Sequence, residues 1–557
     1  MNAASTIVGR LSALARRHGE RTAVLHLDRG EREGDVATYA DLDRTARAIA
    51  AVLVARGLQG RPVILMVSHE LAFVRCFLGC LYASAYAVPV PPLGRQRNRS
   101  RLEHVAADVH PAAIIASRSS IDHVRDLAPV ILAEELIAAP PGDHIEGPRP
   151  EDIAFIQYTS GATGSPKGVV ITHRNIMANQ AMIREAFSHD DSAVIVSWLP
   201  LHHDMGLIGS VLQPLYLGAL CITMPPLAFL QRPARWLRAI DRYRATTSGA
   251  PNFAYDLCCR YVTDGDLAGL DLSSWRIAFC GSEPVRRRTM ETFAARLAPA
   301  RFARRALYPC YGLAEATLFV AGVGVGTGAR SRRLAVADGP DFRVGGADIV
   351  SCGQPAFGSQ LLLLKANGDA MADGRSGEIA VAGEHVSPGF WSSDAAAAVP
   401  DPARMVHVED RTFLRTGDTG VLADGELFVV GRLKDMIIIR GANLYAEDIE
   451  ETAVAAARPG AITAAAAFAV ERGDKEGIVL VLERTPGTDD LATVEAAIRG
   501  AVADVHGEAP ADIAFVEEGQ ISRSTSGKIQ RGATRALYLT RKLTLIACDH
   551  RNDGTSV

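Results

Sequence analysis

The sequence predicts an α/β protein with a large N-terminal domain of mainly parallel sheets and flanking helices, followed by a small α+β C-terminal domain. Three observations predict it. Helical and strand-like apolar patterns alternate through the first part of the chain, the signature of parallel strands joined by crossover helices. The length, 557 residues, exceeds what one hydrophobic core organises. The texture then changes after Gly431, where a hydrophobic strand leads into an acidic helix from about Ala446 and an Ala-rich strand near 461–470. With 48% hydrophobic and 22% charged residues the chain buries large cores, which excludes a disordered or collagen-like polymer. Lys plus Arg (59) nearly balance Asp plus Glu (63), so no global field recruits nucleic acid or an anionic membrane.

Taken in order, Arg10, Arg16 and Arg17 sit in an amphipathic run without the apolar core of a signal peptide. Residues 36–57 read as a helix with Asp41 as N-cap, and RPVILMVS as a buried strand. The longest apolar stretch, 71–90, contains Arg75 and ends in prolines, so a core helix running into a strand is expected rather than a membrane span. LEHVAADV and AAIIAS repeat the alternation, and a Pro/Gly stretch at 139–150 closes this part. Arg95, Arg97, Arg99 and Arg101 fall in one expected loop; they, Arg286 to Arg288, and Arg330, Arg332 and Arg333 read as solvated faces.

Residues 321–346 hold seven glycines between an expected apolar helix and a strand, too many for an ordinary connection. A functional loop or insertion is expected, with Leu334, Val336 and Phe342 as apolar anchors and the arginines left to solvent. The small domain is expected from Lys434, giving domains 1–433 and 434–545 and a disordered tail at 546–557. Nine scattered cysteines without a CxxC pair offer no zinc knuckle and indicate buried thiols in a reducing cytoplasm.

The chemistry concentrates in a few motifs. YTSGATGSPKGV, from Tyr158, lies between two expected strands. Its glycines and hydroxyls, Thr159, Ser160, Gly161, Thr163 and Gly164, let backbone N–H groups wrap a polyphosphate while Lys167 adds a positive charge. It lacks the GK[ST] of a Walker loop and the dinucleotide fingerprint. In LRTGDTG, Asp418 falls in an exposed turn, where a carboxylate can accept from two vicinal hydroxyls; Arg432 follows in GRLKDMIII. His202, His203 and Asp204 invite a metal reading, which is set aside because adjacent side chains diverge and no second His/Cys cluster has ligand spacing.

The phosphate loop, SWLPLHHDMGLIGSVLQPLYLG, APNFAYDLC, GSEPV, YGLAEATLFVAG and VSCGQP occur in an order that resembles the fatty acyl-AMP ligase branch of the adenylate-forming superfamily. The resemblance covers residues 10–540. It implies a two-domain ligase that uses ATP and Mg²⁺ to adenylate a medium- or long-chain fatty acid, then passes the acyl group to a phosphopantetheine thiol of an acyl carrier protein. It implies Tyr311 and Gly312 against adenine, Gly281, Ser282 and Glu283 as a wall beside the base, and Glu315 as the Mg²⁺ carboxylate with Thr163 as a further contact. It also implies Asp418 and Arg432 on the ribose, His203 between the nucleotide and acyl pockets, Lys434 as hinge of a mobile small domain, and Lys528 as the catalytic lysine. Ala162, Ser522 and Ser524 depart from usual serine, proline and threonine, and GANLYAEDIE departs further. Two alternatives stay open: an acyl-CoA synthetase using free CoA, and a nucleotide-binding regulator without catalysis.

Overall fold

The computed structural model describes residues 5–92, 96–142, 146–159, 166–334, 348–371, 374–439, 442–458, 460–472, 475–487, 490–524 and 527–546. Among them, the large domain is built on a nine-stranded and an eight-stranded sheet, with a five-stranded antiparallel sheet beside them. Strand Thr22–Asp28 pairs parallel with Leu220–Thr223, and the parallel run continues through Val194–Ser197, Thr247–Ala250, Ile277–Cys280 and Leu307–Gly312. In the second sheet Pro62–Met66 pairs parallel with both Tyr86–Pro89 and Ala113–Ala116. The small domain carries a three-stranded sheet in which Ile462–Arg472 and Lys475–Arg484 are antiparallel, covered by helices Ala446–Ala456 and Leu491–His506.

Helices form where the apolar period permits it. In Tyr39–Ala55 the buried side chains Leu42, Ala46, Ile49, Ala50 and Leu53 make one stripe. Its N-cap is Thr38, and Asp41 closes a capping box from the third helical position instead of capping the helix itself. This stripe meets helix Glu70–Tyr82 so closely that a Cβ on Gly79 would lie 2.3 Å from Ile49 Cγ2. Six of the eight described cysteines are buried as free thiols.

Several expectations are corrected. Arg97, Arg99 and Arg101 belong to helix Gln96–Val109, not to a loop. The segment before the Gly-rich stretch is an antiparallel pair, Leu307–Gly312 with Phe319–Gly322, because the turn through Ala314–Ala316 sends the chain straight back; no apolar helix precedes it. Within the Gly-rich stretch, Ser331–Arg333 pairs with Asp348–Val350. Leu334 packs against Val421, Phe428, Val430 and Tyr445, as expected of an anchor, whereas Val336 and Phe342 lie outside the described residues. Arg332 is half-exposed but pairs with Asp424 at 2.5 Å. Ile546, assigned to the tail, donates its N–H to Phe515 O at 2.8 Å; residues 547–557 lie outside the described residues.

Candidate active site

A cavity of about 1530 Å³ runs between the large and small domains, and Phe253, Glu283, Tyr311, Asp418, Arg432 and Lys528 line it. The C-terminal ends of parallel strands deliver the first side of it. Strand Ile277–Cys280 ends at Gly281, whose backbone lies so near Cys310 that a Cβ would sit 2.9 Å from its carbonyl oxygen. Ser282 takes a left-handed φ of 72° and Glu283 Oε1 accepts from Phe253 N at 2.6 Å. Burial raises the Glu283 carboxyl above its ordinary range. The next strand, Leu307–Gly312, brings Tyr311 and Gly312; a Cβ on Gly312 would lie 1.7 Å from Leu318 O, so the returning chain requires glycine there.

Asp418 is the main surprise. It lies inside strand Arg411–Ala423, opposite Arg432 across the ladder, and is buried, not exposed in a turn. A left-handed Gly417 and the register shift beyond Thr419 explain the turn-like sequence: they mark an irregularity within a strand. Tyr311 OH donates to Asp418 Oδ2 at 2.8 Å and Arg432 Nε lies 3.0 Å from Asp418 Oδ1. Asp418 holds the Arg432 guanidinium well above its ordinary range, and burial, then Asp418, raises the Tyr311 phenol.

The phosphate-loop motif forms an antiparallel hairpin, Ile153–Thr159 with Lys167–Thr172, in which Thr159 faces Lys167. The tip, with Ser160, Gly161, Thr163 and Gly164, lies outside the described residues. Lys167 Nζ is 3.6 Å from Asp401 and 5.1 Å from the Phe390 ring centre. Arg404 stacks on the same ring at 5.5 Å and donates to Glu315 Oε1 at 2.7 Å. Glu315 therefore stands in a turn at Ala314–Ala316 with a guanidinium partner that the sequence reading missed, since nothing in DPARM marks it.

His202 and His203 lie side by side, ring centres 4.5 Å apart, correcting the expectation of divergent side chains. They precede a π-helical run, Met205–Leu212, which seats on the turn because a Cβ at Gly206 would lie 2.3 Å from Pro200 O. Burial and then Arg101 lower His202 to about 3; burial, His202 and Lys528 lower His203 well below 6.5, so both imidazoles are neutral. Arg101 was read as solvated, yet it turns inward and donates to Tyr158 O at 3.3 Å.

Lys528 enters from the small domain. Its loop is pinned by Ser524 N to Lys528 O at 2.7 Å, Lys528 N to Ser524 Oγ at 3.1 Å and Gln530 N to Ser522 O at 2.7 Å, so neither serine departure unfixes it. Gly527, left-handed at 85°, presses on Phe253, where a Cβ would be 3.0 Å from the ring. Burial lowers the Lys528 pKa, Arg432 adds to this, and Asp204, Glu283 and Asp418 oppose it. Lys434 sits in the turn Leu433–Asp435, its pKa also lowered by burial. Next to it Asp435 pairs with Arg531 at 2.9 Å, and Arg531 also reaches Glu447 and Glu450, each at 2.7 Å.

With this geometry in hand, known proteins give the class. Residues 11–391 match the family described as AMP-binding enzyme, and residues 434–548 match the Disco-interacting protein 2-like AMP domain. The chain belongs to the AMP-binding, adenylate-forming enzymes. Within that superfamily it falls in the fatty acyl-AMP ligase branch. It is 36% identical over 569 residues to the medium-chain-fatty-acid–[acyl-carrier-protein] ligase JamA of Moorena producens, covering 96% of this chain and 95% of that one. A long-chain-fatty-acid–AMP ligase of Mycobacterium tuberculosis is 33% identical, with 93% and 94% covered. The crystal structure of a Legionella pneumophila fatty acyl-adenylate ligase with acyl adenylate and pyrophosphate superposes with a TM-score of 0.73 at 34% identity, over 98% and 97% of the chains.

Proposed function

We propose that the protein is an ATP-dependent fatty acyl-AMP ligase that adenylates a medium- or long-chain fatty acid and passes the acyl group to the phosphopantetheine thiol of an acyl carrier protein. The observation that carries this reading is the convergence of Lys528 with Glu283, Asp418 and Arg432 at one cavity between the domains. A plain nucleotide binder has no use for a half-buried lysine lining that cavity.

In this reading the Tyr311 ring, fixed through its hydroxyl, and Gly312 pack on adenine, with Gly281 to Glu283 along the edge of the base. Asp418 accepts from the ribose hydroxyls and Arg432 holds Asp418 in place. Thr159, Ser160, Gly161, Thr163, Gly164 and Lys167 cradle the polyphosphate. Glu315 would hold Mg²⁺, with Thr163 as a further contact; a carboxylate oxygen suits this hard cation, and Arg404 must share or release it. When bound, Mg²⁺ offsets polyphosphate charge.

A carboxylate oxygen of the acid attacks the α-phosphorus and the bond to pyrophosphate breaks. Lys528 Nζ meets the charge that builds on the phosphoryl oxygens, while neutral His203 shapes the carboxylate site without adding charge. The small domain, which we assign to residues 434–546, then turns about Lys434. The thiolate attacks the acyl carbonyl and AMP leaves. Buried free thiols suit work in a reducing cytoplasm.

The acceptor follows from Leu334. It shares a buried cluster with Tyr445, beyond the proposed hinge, and with Phe428 and Val430 before it, so in this reading Leu334 links the two sides and restrains the rotation. With fatty acid, MgATP and CoA, the protein is expected to exchange pyrophosphate and accumulate acyl-AMP, yielding little acyl-CoA; a holo carrier protein is acylated. Leu334→Ser raises CoA turnover. Rapid acyl-CoA formation by the intact protein, read by mass spectrometry, favours the CoA-ligase alternative, and absence of pyrophosphate exchange across an acid panel favours a noncatalytic binder.

A further inference from the structure

Away from the active cavity, the end of strand Thr22–Asp28 meets the start of helix Glu70–Tyr82 and gathers two histidines and two carboxylates. His26 Nε2 lies 3.5 Å from Glu70 Oε2 and 4.0 Å from Asp28 Oδ1. The His26 and His69 rings are 4.5 Å apart. Donor atoms of His26, Asp28 and His69 all lie within 4.8 Å of one another, and among the described residues no other group of three His, Cys, Asp or Glu side chains meets that spacing. The sequence hides the cluster, because its members come as two pairs some forty residues apart, roughly a helix and a strand.

The surroundings prepare these atoms. His26 is buried and its Nδ1 lies 3.1 Å from Thr223 Oγ1, which fixes the ring and turns Nε2 to the carboxylates, as an outer hydroxyl does for a metal-bound imidazole. His69 Nδ1 accepts from Ala72 N at a long 3.4 Å, so the ring is only loosely committed to capping the helix. Across the hairpin, a Cβ on residue 34 would lie 2.5 Å from Asp28 Oδ1; Gly34 leaves that carboxylate its room. Two carboxylates balance a dication.

We propose that His26, Asp28, His69 and Glu70 form a zinc site separate from the nucleotide cavity, tying the nine-stranded sheet to a helix that packs on the other large sheet. Two imidazole nitrogens and carboxylate oxygens are a zinc donor set. Tetrahedral bonds of about 2.1 Å place donors about 3.4 Å apart. The 3.5 and 4.0 Å separations around His26 approach this spacing; Glu70, which meets His26 but stands outside the mutual 4.8 Å spacing of the other three donors, and Asp28, at the exposed rim, would have to move inward to close the site.

The test uses the tag-free full chain, stripped with a chelator and titrated with Zn²⁺ against a chromophoric competitor, then with Co²⁺. One Zn²⁺ per chain is expected, with a raised melting temperature, and Co²⁺ is expected to show the intense visible band of a four-coordinate ion. Asp28→Asn and His69→Gln each should weaken Zn²⁺ at least tenfold and remove the thermal shift, while the metal-free circular dichroism of Asp28→Asn matches the parent. No stoichiometric ion in the parent, or unchanged Zn²⁺ affinity in both variants, overturns the site. Because the readouts are metal content and spectrum, they stand independently of acyl-AMP formation.

Discussion

Replacing Lys528 by alanine separates the two half-reactions. The half-buried ammonium group of Lys528 is opposed by Arg432 and favoured by Asp204, Glu283 and Asp418. Loss of one preorganised donor in such a site costs about 100- to 1000-fold, or about 2.7–4 kcal/mol of transition-state stabilisation. Arg432 keeps a second positive charge in the same cavity, so the lower end, about 100-fold, is expected. Single-turnover pyrophosphate release measures the first step, and transfer from supplied acyl-AMP to holo carrier protein measures the second, which should fall far less. The pH profile adds an independent readout. Burial lowers the Lys528 pKa, so its charge, and with it adenylation, is lost on an alkaline limb below the ordinary lysine value of 10.5. That limb should vanish in Lys528→Ala. Equal losses in both half-reactions would falsify the assigned role.

Three further perturbations follow from the same contacts. Asp418→Asn removes a charge that binds Tyr311 OH and a half-exposed Arg432, so a loss of about 1–2 kcal/mol in denaturant unfolding should accompany a raised ATP requirement; normal melting with an unchanged ATP titration would return Asp418 to a passive role. Arg531→Ala strips a buried guanidinium from Asp435, Glu447 and Glu450, so about 3–5 kcal/mol should be lost, and Arg531→Lys should recover less than half because an ammonium cannot reproduce the paired bonds to Glu450; full recovery by lysine would contradict this. His173, His189 and His385 are held by burial at about 4 and His202 at about 3, so each contributes stability fully present above 6.5 and lost as pH falls through its folded value; Asp448, raised by burial to about 7, acts oppositely. Unfolding at pH 5 should take up about three protons net, and a flat unfolding free energy between pH 4.5 and 6 would show that these histidines are not neutral in the fold.

Most of the architecture was legible because it rests on local patterns. The strand RPVILMVS forms as Pro62–Met66, the helix expected over 36–57 forms as Tyr39–Ala55 with residues 36–38 ending the preceding strand, and the acidic helix forms as Ala446–Ala456, each following from its apolar period. What misled was chemistry that takes its meaning from a distant partner. TGD reads as a turn by itself, but pairing of strand Arg411–Ala423 with strand Glu426–Arg432 and the Tyr311 hydroxyl turn it into a buried post. Arg101 reads as one of a basic run, and only the helix phase aims it at Tyr158. Arg404 and Arg531 carry no local signal, since their carboxylate partners are 89 and 81 residues away for Glu315 and Glu450. The lysine loop was found through family resemblance, because a lone lysine near a C-terminus is ordinarily solvated.

The ion pairs around Lys434 suit the pivot proposed there. Arg432 is held by Asp418 in the sheet of the large domain, whereas Asp435 is held by Arg531, which is itself locked to the helix Ala446–Ala456 of the small one. The chain thus changes allegiance between 432 and 435, and a rotation there leaves both charged clusters intact. The proposed rotation would break the contact of Gly527 with Phe253, the buried cluster of Tyr445 with Leu334 and Phe428, the Tyr445 and Thr419 hydroxyl contact at 3.0 Å, and the charge interactions of Lys528 with Asp204, Glu283 and Asp418. Buried ion pairs are costly to separate, while apolar faces of this size re-form elsewhere with little net loss. In the proposed mechanism, a hinge so placed would let Lys528 leave the phosphoryl group after adenylation without unpairing Asp418, which would still have the nucleotide to hold when the thiol arrives.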